Sequence, residues 1–87
     1  MPEPLSAEEV RVLLRLQVAD LLDIDASEVA YDAELTAEQG VDSLLQLELM
    51  TRVEQQLHLT FDIDAWLIPT TLAELAQHIH VRQAGGD

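Results

Sequence analysis

The stretch Gln39–Met50, QGVDSLLQLELM, sets the organisation of the chain. Gly40 can adopt backbone angles that are closed to other residues. Asp42 and Ser43, which follow it closely, are both residue types that cap helices well. Leu44 then begins a run of good helix formers. The stretch therefore predicts a turn at Gly40 that delivers Asp42 and Ser43 to the start of a helix.

Ser43 has two interpretations. A serine followed three residues later by Gln46 fits a capping box, in which the serine only starts the helix. Asp42 can be the cap instead, and Ser43 would then be the first helical residue with its oxygen free. Unpaired N–H groups and the helix dipole at that position favour an attached anion. The spacing alone leaves both interpretations open.

The composition predicts a single small all-α domain. The chain has 87 residues, of which 48% are apolar, and this allows a modest core. The only aromatic residues are Tyr31, Phe61 and Trp66, so the core must be mainly aliphatic. Strand-like alternation is scarce, whereas Leu, Ala, Glu and Gln are abundant. The absence of cysteine excludes disulfides and thiolate metal sites, and any thiol chemistry would need an imported thiol.

The charge of the chain is strongly acidic. Seventeen acidic residues face four arginines and no lysine, which gives a net charge of −13. Such a charge repels nucleic acid and anionic membranes and attracts partners with basic patches. The sequence shows no secretory signal and no segment of membrane-spanning length. We therefore expect a cytoplasmic monomer that binds neither nucleic acid nor membrane.

Capping signals and helical spacing predict four helices around a core of about residues 6–82, with flexible arms at 1–5 and 83–87. The first helix should cover about 7–22 and the second about 43–57. A short third helix should follow Asp62 or Asp64, and the last should run from the capping box Thr71–Glu74 to about Arg82.

A long connection, residues 23–41, is predicted to follow the first helix. Asp25 could cap a short turn within it. A long loop in a small domain needs anchors or a function, and the side chains that could anchor this one are Ile24, Val29, Tyr31 and Leu35.

The helices have predicted inner and outer faces. Arg11 and Arg15 should lie on the wetter side of the first helix, and Leu72, Leu75, Ala76 and Ile79 should face inward from the last. In the second helix, Leu49, Met50, Val53 and Leu57 form the core stripe. Leu44 and Leu47 fall on the opposite side with Glu48, and a leucine pair beside Ser43 is best explained as a docking surface.

No catalytic or metal-binding residues are predicted. His58, His78 and His80 lack the spacing of a helical metal site. Asp23, Asp25, Ser27 and Glu34 match part of a calcium loop, but Glu28 occupies the position that needs glycine. No candidate base accompanies Ser43, which argues against a serine hydrolase.

The segment GVDSLLQLEL, residues 40–49, resembles the signature of acyl carrier proteins, in which Gly-x-Asp-Ser-Leu opens the second of four helices. The resemblance continues through LHLTFDIDAWLIPTTLAELAQHI, residues 57–79, which is similar to the third and fourth helices of carriers from modular polyketide assembly lines. It covers roughly residues 6–82, nearly the whole domain. Gln39, where a leucine is usual, and Arg52, in a helix that is often more acidic, are departures from the pattern.

The resemblance implies that Ser43 accepts a 4′-phosphopantetheine arm from coenzyme A, transferred by a separate phosphopantetheinyl transferase. The thiol of the arm would carry acyl groups as thioesters in polyketide or hybrid polyketide/nonribosomal peptide biosynthesis, and the chain itself would not be an enzyme. Asp42, Leu44, Leu47 and Glu48 would meet the transferase and assembly-line enzymes, such as an acyltransferase or a ketosynthase, through basic docking patches.

Two alternatives remain beside this interpretation. A peptidyl carrier of a nonribosomal peptide synthetase would hold an aminoacyl cargo on the same arm, although Asp42 favours the acyl carrier. An acidic helical adaptor would bind a basic partner and use Ser43 only as a cap. The sequence does not identify the cargo, the product or the partner enzymes.

Overall fold

The computed structural model describes residues 5–32, 34–35 and 40–85. In these residues the chain forms four α-helices, with a short 3-10 helix, Ala26–Glu28, between the first two. The helices are α1 (Ala7–Leu22), α2 (Ser43–Leu57), α3 (Ile63–Trp66) and α4 (Leu72–Gly85). The structure confirms the predicted all-α class, the long connection after the first helix and the short third helix. Gln39, one of the departures from the carrier pattern, lies outside the described residues.

Reciprocal side-chain caps fix the starts of α1 and α4. The Ser6 hydroxyl accepts the Glu9 N–H at 3.1 Å, and the Glu9 carboxylate accepts the Ser6 N–H at 2.9 Å. Thr71 and Glu74 exchange the same pair of bonds at 3.2 and 3.3 Å. The backbone N–H and the hydroxyl of Thr70 also donate to Glu74, and these bonds lower the pKa of the Glu74 carboxyl. The capping box predicted at Thr71 and Glu74 is confirmed, and Ser6 and Glu9 form another at the start of α1.

The core lies where α1 packs against α4 and α2, and α3 closes it against α2. The predicted inward residues of α2 and α4 are buried, except that Leu57 is half-buried. Burying such aliphatic side chains is the main favourable term in folding. The fully buried side chains of the helices are Val10, Leu14, Val18, Leu49, Val53, Trp66, Leu72, Leu75 and Ile79.

The long connection is held by buried side chains and by backbone bonds to the start of α4. Val29 and Leu35 are buried and Tyr31 packs against the core, as predicted. The Leu35 N–H donates to the carbonyl of Thr70 at 2.9 Å, and the Ala73 N–H donates to the carbonyl of Tyr31 at 3.0 Å. The described parts of the connection are therefore anchored on α4.

Two predictions about side-chain placement are wrong. Ile24 is 38% exposed instead of anchoring the connection. Asp23 adopts a left-handed conformation with φ 56°, and the Ile24 N–H donates to the carbonyl of Ala19, so the chain reverses at the end of α1. Arg15 is half-buried, not on the wetter side, because its guanidinium lies 4.3 Å from the centre of the Tyr31 ring.

The described ends of the chain meet each other. Helix α4 continues to Gly85, beyond the predicted end near Arg82. The Gln83 amide donates to the carbonyl of Leu5 and accepts the Leu5 N–H, both at 3.3 Å. The predicted flexible arms include Leu5 and Gln83, which are thus bonded together. Residues 84–85 belong to α4, and residues 1–4 and 86–87 of the arms lie outside the described residues.

None of the helices in the described part of the chain combines the length and the apolarity that crossing a membrane requires.

Candidate functional site

The start of α2 is capped by Asp42, not by Ser43. The Asp42 Oδ1 atom accepts the Leu45 N–H at 2.9 Å, and the Asp42 carbonyl accepts the Gln46 N–H at 2.9 Å. Ser43 is the first residue of α2 and is exposed. The capping box of Ser43 with Gln46 does not form, and the second interpretation of Ser43 is confirmed. The hydroxyl of Ser43 is therefore not occupied in starting the helix.

The turn before α2 depends on the backbone of Gly40 and the side chain of Val41. Gly40 has φ 76°, a conformation that favours glycine, and a Cβ there would meet no atom within 4 Å. The requirement for glycine is therefore conformational and not one of space. Val41 is buried, and its N–H donates to the carbonyl of Leu35 at 2.9 Å. These contacts fix the point at which Asp42 and Ser43 enter the helix.

The α2 dipole and the Asp42 carboxylate act in opposite directions on an anion at Ser43. The positive end of the α2 dipole favours an anion there by about 0.3–1 kcal/mol. The Asp42 carboxylate, one residue away, offsets part of this gain. A phosphate attached to Ser43 is thus compatible with the helix end, and its attachment would not depend on strong electrostatic binding.

An exposed apolar surface lies beside Ser43 on α2. Leu44 and Leu47 are 74% and 45% exposed, as the helical spacing predicts. A shallow groove there is lined by Leu44, Leu47, Glu48, Thr51 and the half-buried Leu45. We call the surface of Leu44, Leu47 and Glu48 the α2 face. Because the α2 face lies beside Ser43, a protein that acts on the Ser43 hydroxyl can contact this face.

Arg52 borders the α2 face and is bonded across to α1. Its Nη1 atom lies 2.6 Å from the Asp20 carboxylate and 3.1 Å from the side-chain oxygen of Gln17. Its Nη2 atom lies 3.9 Å from the Glu48 carboxylate, one helical turn away. Arg52, noted in the sequence as a departure from the carrier pattern, is thus part of a charge cluster that joins α1 and α2.

Gln46 is a buried polar residue behind the site, and its burial was not predicted from the sequence. It is only 4% exposed, and its Oε1 atom accepts the Trp66 indole N–H at 3.0 Å. The Trp66 ring in turn makes an edge-to-face contact with Phe61, with 5.1 Å between ring centres. This bond joins the first turns of α2 to α3. The sequence signal for its burial was its spacing. Gln46 lies three residues before Leu49 and four residues before Met50, which are both buried.

No group of three or more His, Cys, Asp or Glu side chains within the described ranges could hold a metal ion. The Asp25 carboxylate, part of the incomplete calcium pattern, accepts the Ser27 N–H at the start of the 3-10 helix. His78 lies 6.5 Å from Phe61, ring centre to ring centre.

The family model described as "Phosphopantetheine attachment site" matches residues 12–79. The match includes the Gly40 turn, Ser43, the α2 face and most of α4. It leaves out residues 1–11, which include the start of α1, and residues 80–87, which include the end of α4.

Similar curated proteins come from bacterial and fungal polyketide synthesis. Polyketide-8 synthase acyl carrier protein 2 of Streptomyces avermitilis is 41% identical over 56 residues, which is 64% of each chain. Non-reducing polyketide synthase ustP of Ustilaginoidea virens is 41% identical over 66 residues, 76% of this chain and 3% of that one. Iterative polyketide synthase afoE of Emericella nidulans is 41% identical over 70 residues, 80% and 2% of the two chains. The aligned segment thus spans less than two thirds of each relative.

A solved structure has the same fold. The NMR structure of the HMG-ACPI domain from the CurA module of Lyngbya majuscula superposes with a TM-score of 0.81 at 25% sequence identity. The superposition covers 99% of this chain and 89% of that domain. The similarity therefore extends over the helices described above.

Proposed function

Since the chain belongs to the phosphopantetheine attachment site family, we propose that it is an acyl carrier that holds acyl groups on a 4′-phosphopantetheine arm at Ser43. The observation that carries the proposal is the exposed Ser43 at the first position of α2, with Asp42 as the cap. Domains of this family carry the arm covalently, and the arm supplies the thiol that this cysteine-free chain lacks.

The attachment step uses the Ser43 hydroxyl as a nucleophile. The Ser43 oxygen attacks the phosphorus of coenzyme A that is next to pantetheine, and a phosphodiester forms. The pyrophosphate bond breaks, adenosine 3′,5′-bisphosphate leaves, and a base of the transferase takes the hydroxyl proton. An unassisted serine is a weak nucleophile, so a phosphopantetheinyl transferase must supply the base. The chain has no catalytic role of its own in this proposal.

The pathway that we propose is polyketide or hybrid polyketide/nonribosomal peptide biosynthesis. It is supported by three relatives, each 41% identical and each named for a polyketide synthase. A peptidyl carrier remains the alternative, because it would use the same arm. Acylation assays with malonyl and aminoacyl donors, each with its own loading enzyme, would separate these two kinds of cargo.

Intact-mass measurement tests the carrier proposal directly. The chain is incubated with coenzyme A and a broad-specificity phosphopantetheinyl transferase, and the expected result is one phosphopantetheine increment on the peptide that contains Ser43. Ser6 and Ser27 are the other serines of the chain. An unmodified chain, or an increment on Ser6 or Ser27, would contradict the proposal, and the first result would favour the acidic adaptor.

Docking of partner enzymes is the second part of the proposal. Asp42, Leu44, Leu47 and Glu48 would contact the transferase and enzymes such as an acyltransferase or a ketosynthase. Exposed leucines next to a carboxylate suit a patch with an apolar centre and a basic rim.

We also propose that the chain is a cytoplasmic monomer.

Leu47→Ala is expected to weaken docking without unfolding the domain. Leu47 is well exposed, so the free energy of unfolding should change by no more than about 0.5–1 kcal/mol. Loss of a central apolar contact should slow loading by roughly five- to tenfold. Thermal melts and initial loading rates measure the two effects. Leu16→Ala, at an exposed leucine of α1, is the matched control, and equal loading rates for both variants would contradict a docking role for Leu47.

A further inference from the structure

We propose that Arg52 determines partner specificity by partly neutralising the α2 face, so that partners with uniformly basic patches bind more slowly. The inference rests on the proposed carrier function and concerns the same docking surface. Arg52 does not form part of the Ser43 site, and in this proposal it acts on a partner through its charge alone.

The structure fixes the Arg52 guanidinium in place. It bonds to the Asp20 carboxylate at 2.6 Å and to the Gln17 side chain at 3.1 Å, both on α1. The Arg52 side chain is 33% exposed, whereas those of Asp20 and Glu48 are 70% and 55% exposed. A surface arginine with no partners could turn away from an approaching cation, but these bonds hold Arg52 near the α2 face.

Arg52 changes the local charge because cations are scarce in this chain. It is the only basic residue in the α2 sequence, and the whole chain has only three other arginines and no lysine. Asp20 and Glu48 carry two negative charges, and Arg52 cancels one of them. Its Nη2 atom lies 3.9 Å from Glu48, well within the Debye length of about 8 Å at physiological ionic strength.

The kind of partner that fits follows from this charge pattern. A basic group opposite Glu48 is favourable, but a second basic group opposite Arg52 is repelled. The preferred patch therefore has an apolar centre for Leu44 and Leu47, a basic group at Glu48, and a neutral or acidic group at Arg52. A uniformly basic patch would suit an α2 face without a cation better than it suits this one.

The test uses a phosphopantetheinyl transferase whose carrier-binding face is uniformly basic. Loading rates are measured for the full chain, Arg52→Gln and Arg11→Gln, at low and at high salt, per folded molecule as judged by circular dichroism. Arg11 is exposed on α1, so its replacement changes the net charge equally away from the cluster. We expect Arg52→Gln to load about three- to fivefold faster at low salt, with the gain lost at high salt.

Arg52→Lys separates charge from hydrogen bonding. It keeps the positive charge and a donor that can still pair with the Asp20 carboxylate, so it should load at close to the rate of the unchanged chain. A rate as high as that of Arg52→Gln would assign the effect to the lost guanidinium bonds and overturn the proposal. Equal loading rates for Arg52→Gln and Arg11→Gln would also overturn the proposal about Arg52, but they would leave the proposed carrier function intact. If the chain without substitutions is never loaded, both the carrier function and the role of Arg52 are overturned.

Discussion

Replacing Ser43 with alanine is expected to abolish phosphopantetheine loading completely. Ser43 supplies the oxygen that forms the phosphodiester in the proposed reaction, and alanine has no group to take its place. The intact mass of Ser43→Ala after incubation with coenzyme A and transferase should equal that of the untreated protein. This is an all-or-none effect, unlike the graded changes expected at the α2 face.

The same variant should fold normally. The Asp42 carboxylate, which accepts the Leu45 N–H at 2.9 Å, remains as the cap of α2. Ser43 is exposed, and alanine is a strong helix former. We therefore expect the free energy of unfolding to stay within about 0.5 kcal/mol of the unchanged chain. Thermal melts of the two proteins show whether lost loading reflects lost chemistry or lost structure.

Ser27→Ala is the matched control for Ser43→Ala. Ser27 is exposed and lies in the 3-10 helix after α1, outside the α2 face. Its replacement removes one hydroxyl and should leave the phosphopantetheine increment intact. An increment that survives Ser43→Ala but disappears in Ser27→Ala would move the attachment site to the connection between α1 and α2.

Local signals made the helix starts predictable. Ser6 with Glu9 and Thr71 with Glu74 form caps within single turns, and Asp42 caps α2 from the position beside Ser43. Capping depends on residues close in sequence, so it can be recognised without knowledge of the fold. The exposure of Leu44 and Leu47 was predictable for a similar reason, since helical periodicity alone places them away from the core stripe.

Long-range contacts account for two features that the sequence did not reveal, at Arg15 and Gln46, whereas a third, at Ile24, depends on the local backbone at the end of α1. Ile24 is exposed because α1 ends with a chain reversal at Asp23, and Arg15 is half-buried because the connection places Tyr31 against it. Gln46 lies on the core side of α2 although its side chain is polar. Only the packing of α3 provides the indole N–H of Trp66 that makes this burial favourable.

Trp66→Ala is expected to produce the largest loss of stability. The Trp66 side chain is fully buried and makes an edge-to-face contact with Phe61. Removing a buried tryptophan leaves a cavity and costs about 3–5 kcal/mol. That is a large share of the roughly 5–15 kcal/mol by which domains are stable. Chemical denaturation measures the loss, and Leu44→Ala, at the most exposed leucine of α2, should change stability by no more than about 0.5 kcal/mol.

Trp66→Phe tests the hydrogen bond within this contact and keeps most of the packing. It removes the indole N–H, so the Gln46 oxygen stays buried without its donor, at a cost of about 1–3 kcal/mol beyond the lost ring volume. Adding Gln46→Leu to Trp66→Phe should restore part of that stability, whereas Gln46→Leu alone should destabilise, because it leaves the indole N–H unpaired. The two changes should therefore be strongly non-additive in a double-mutant cycle. Additive losses would show that α3 is held to α2 by apolar packing alone, with no net contribution from the bond between Gln46 and Trp66.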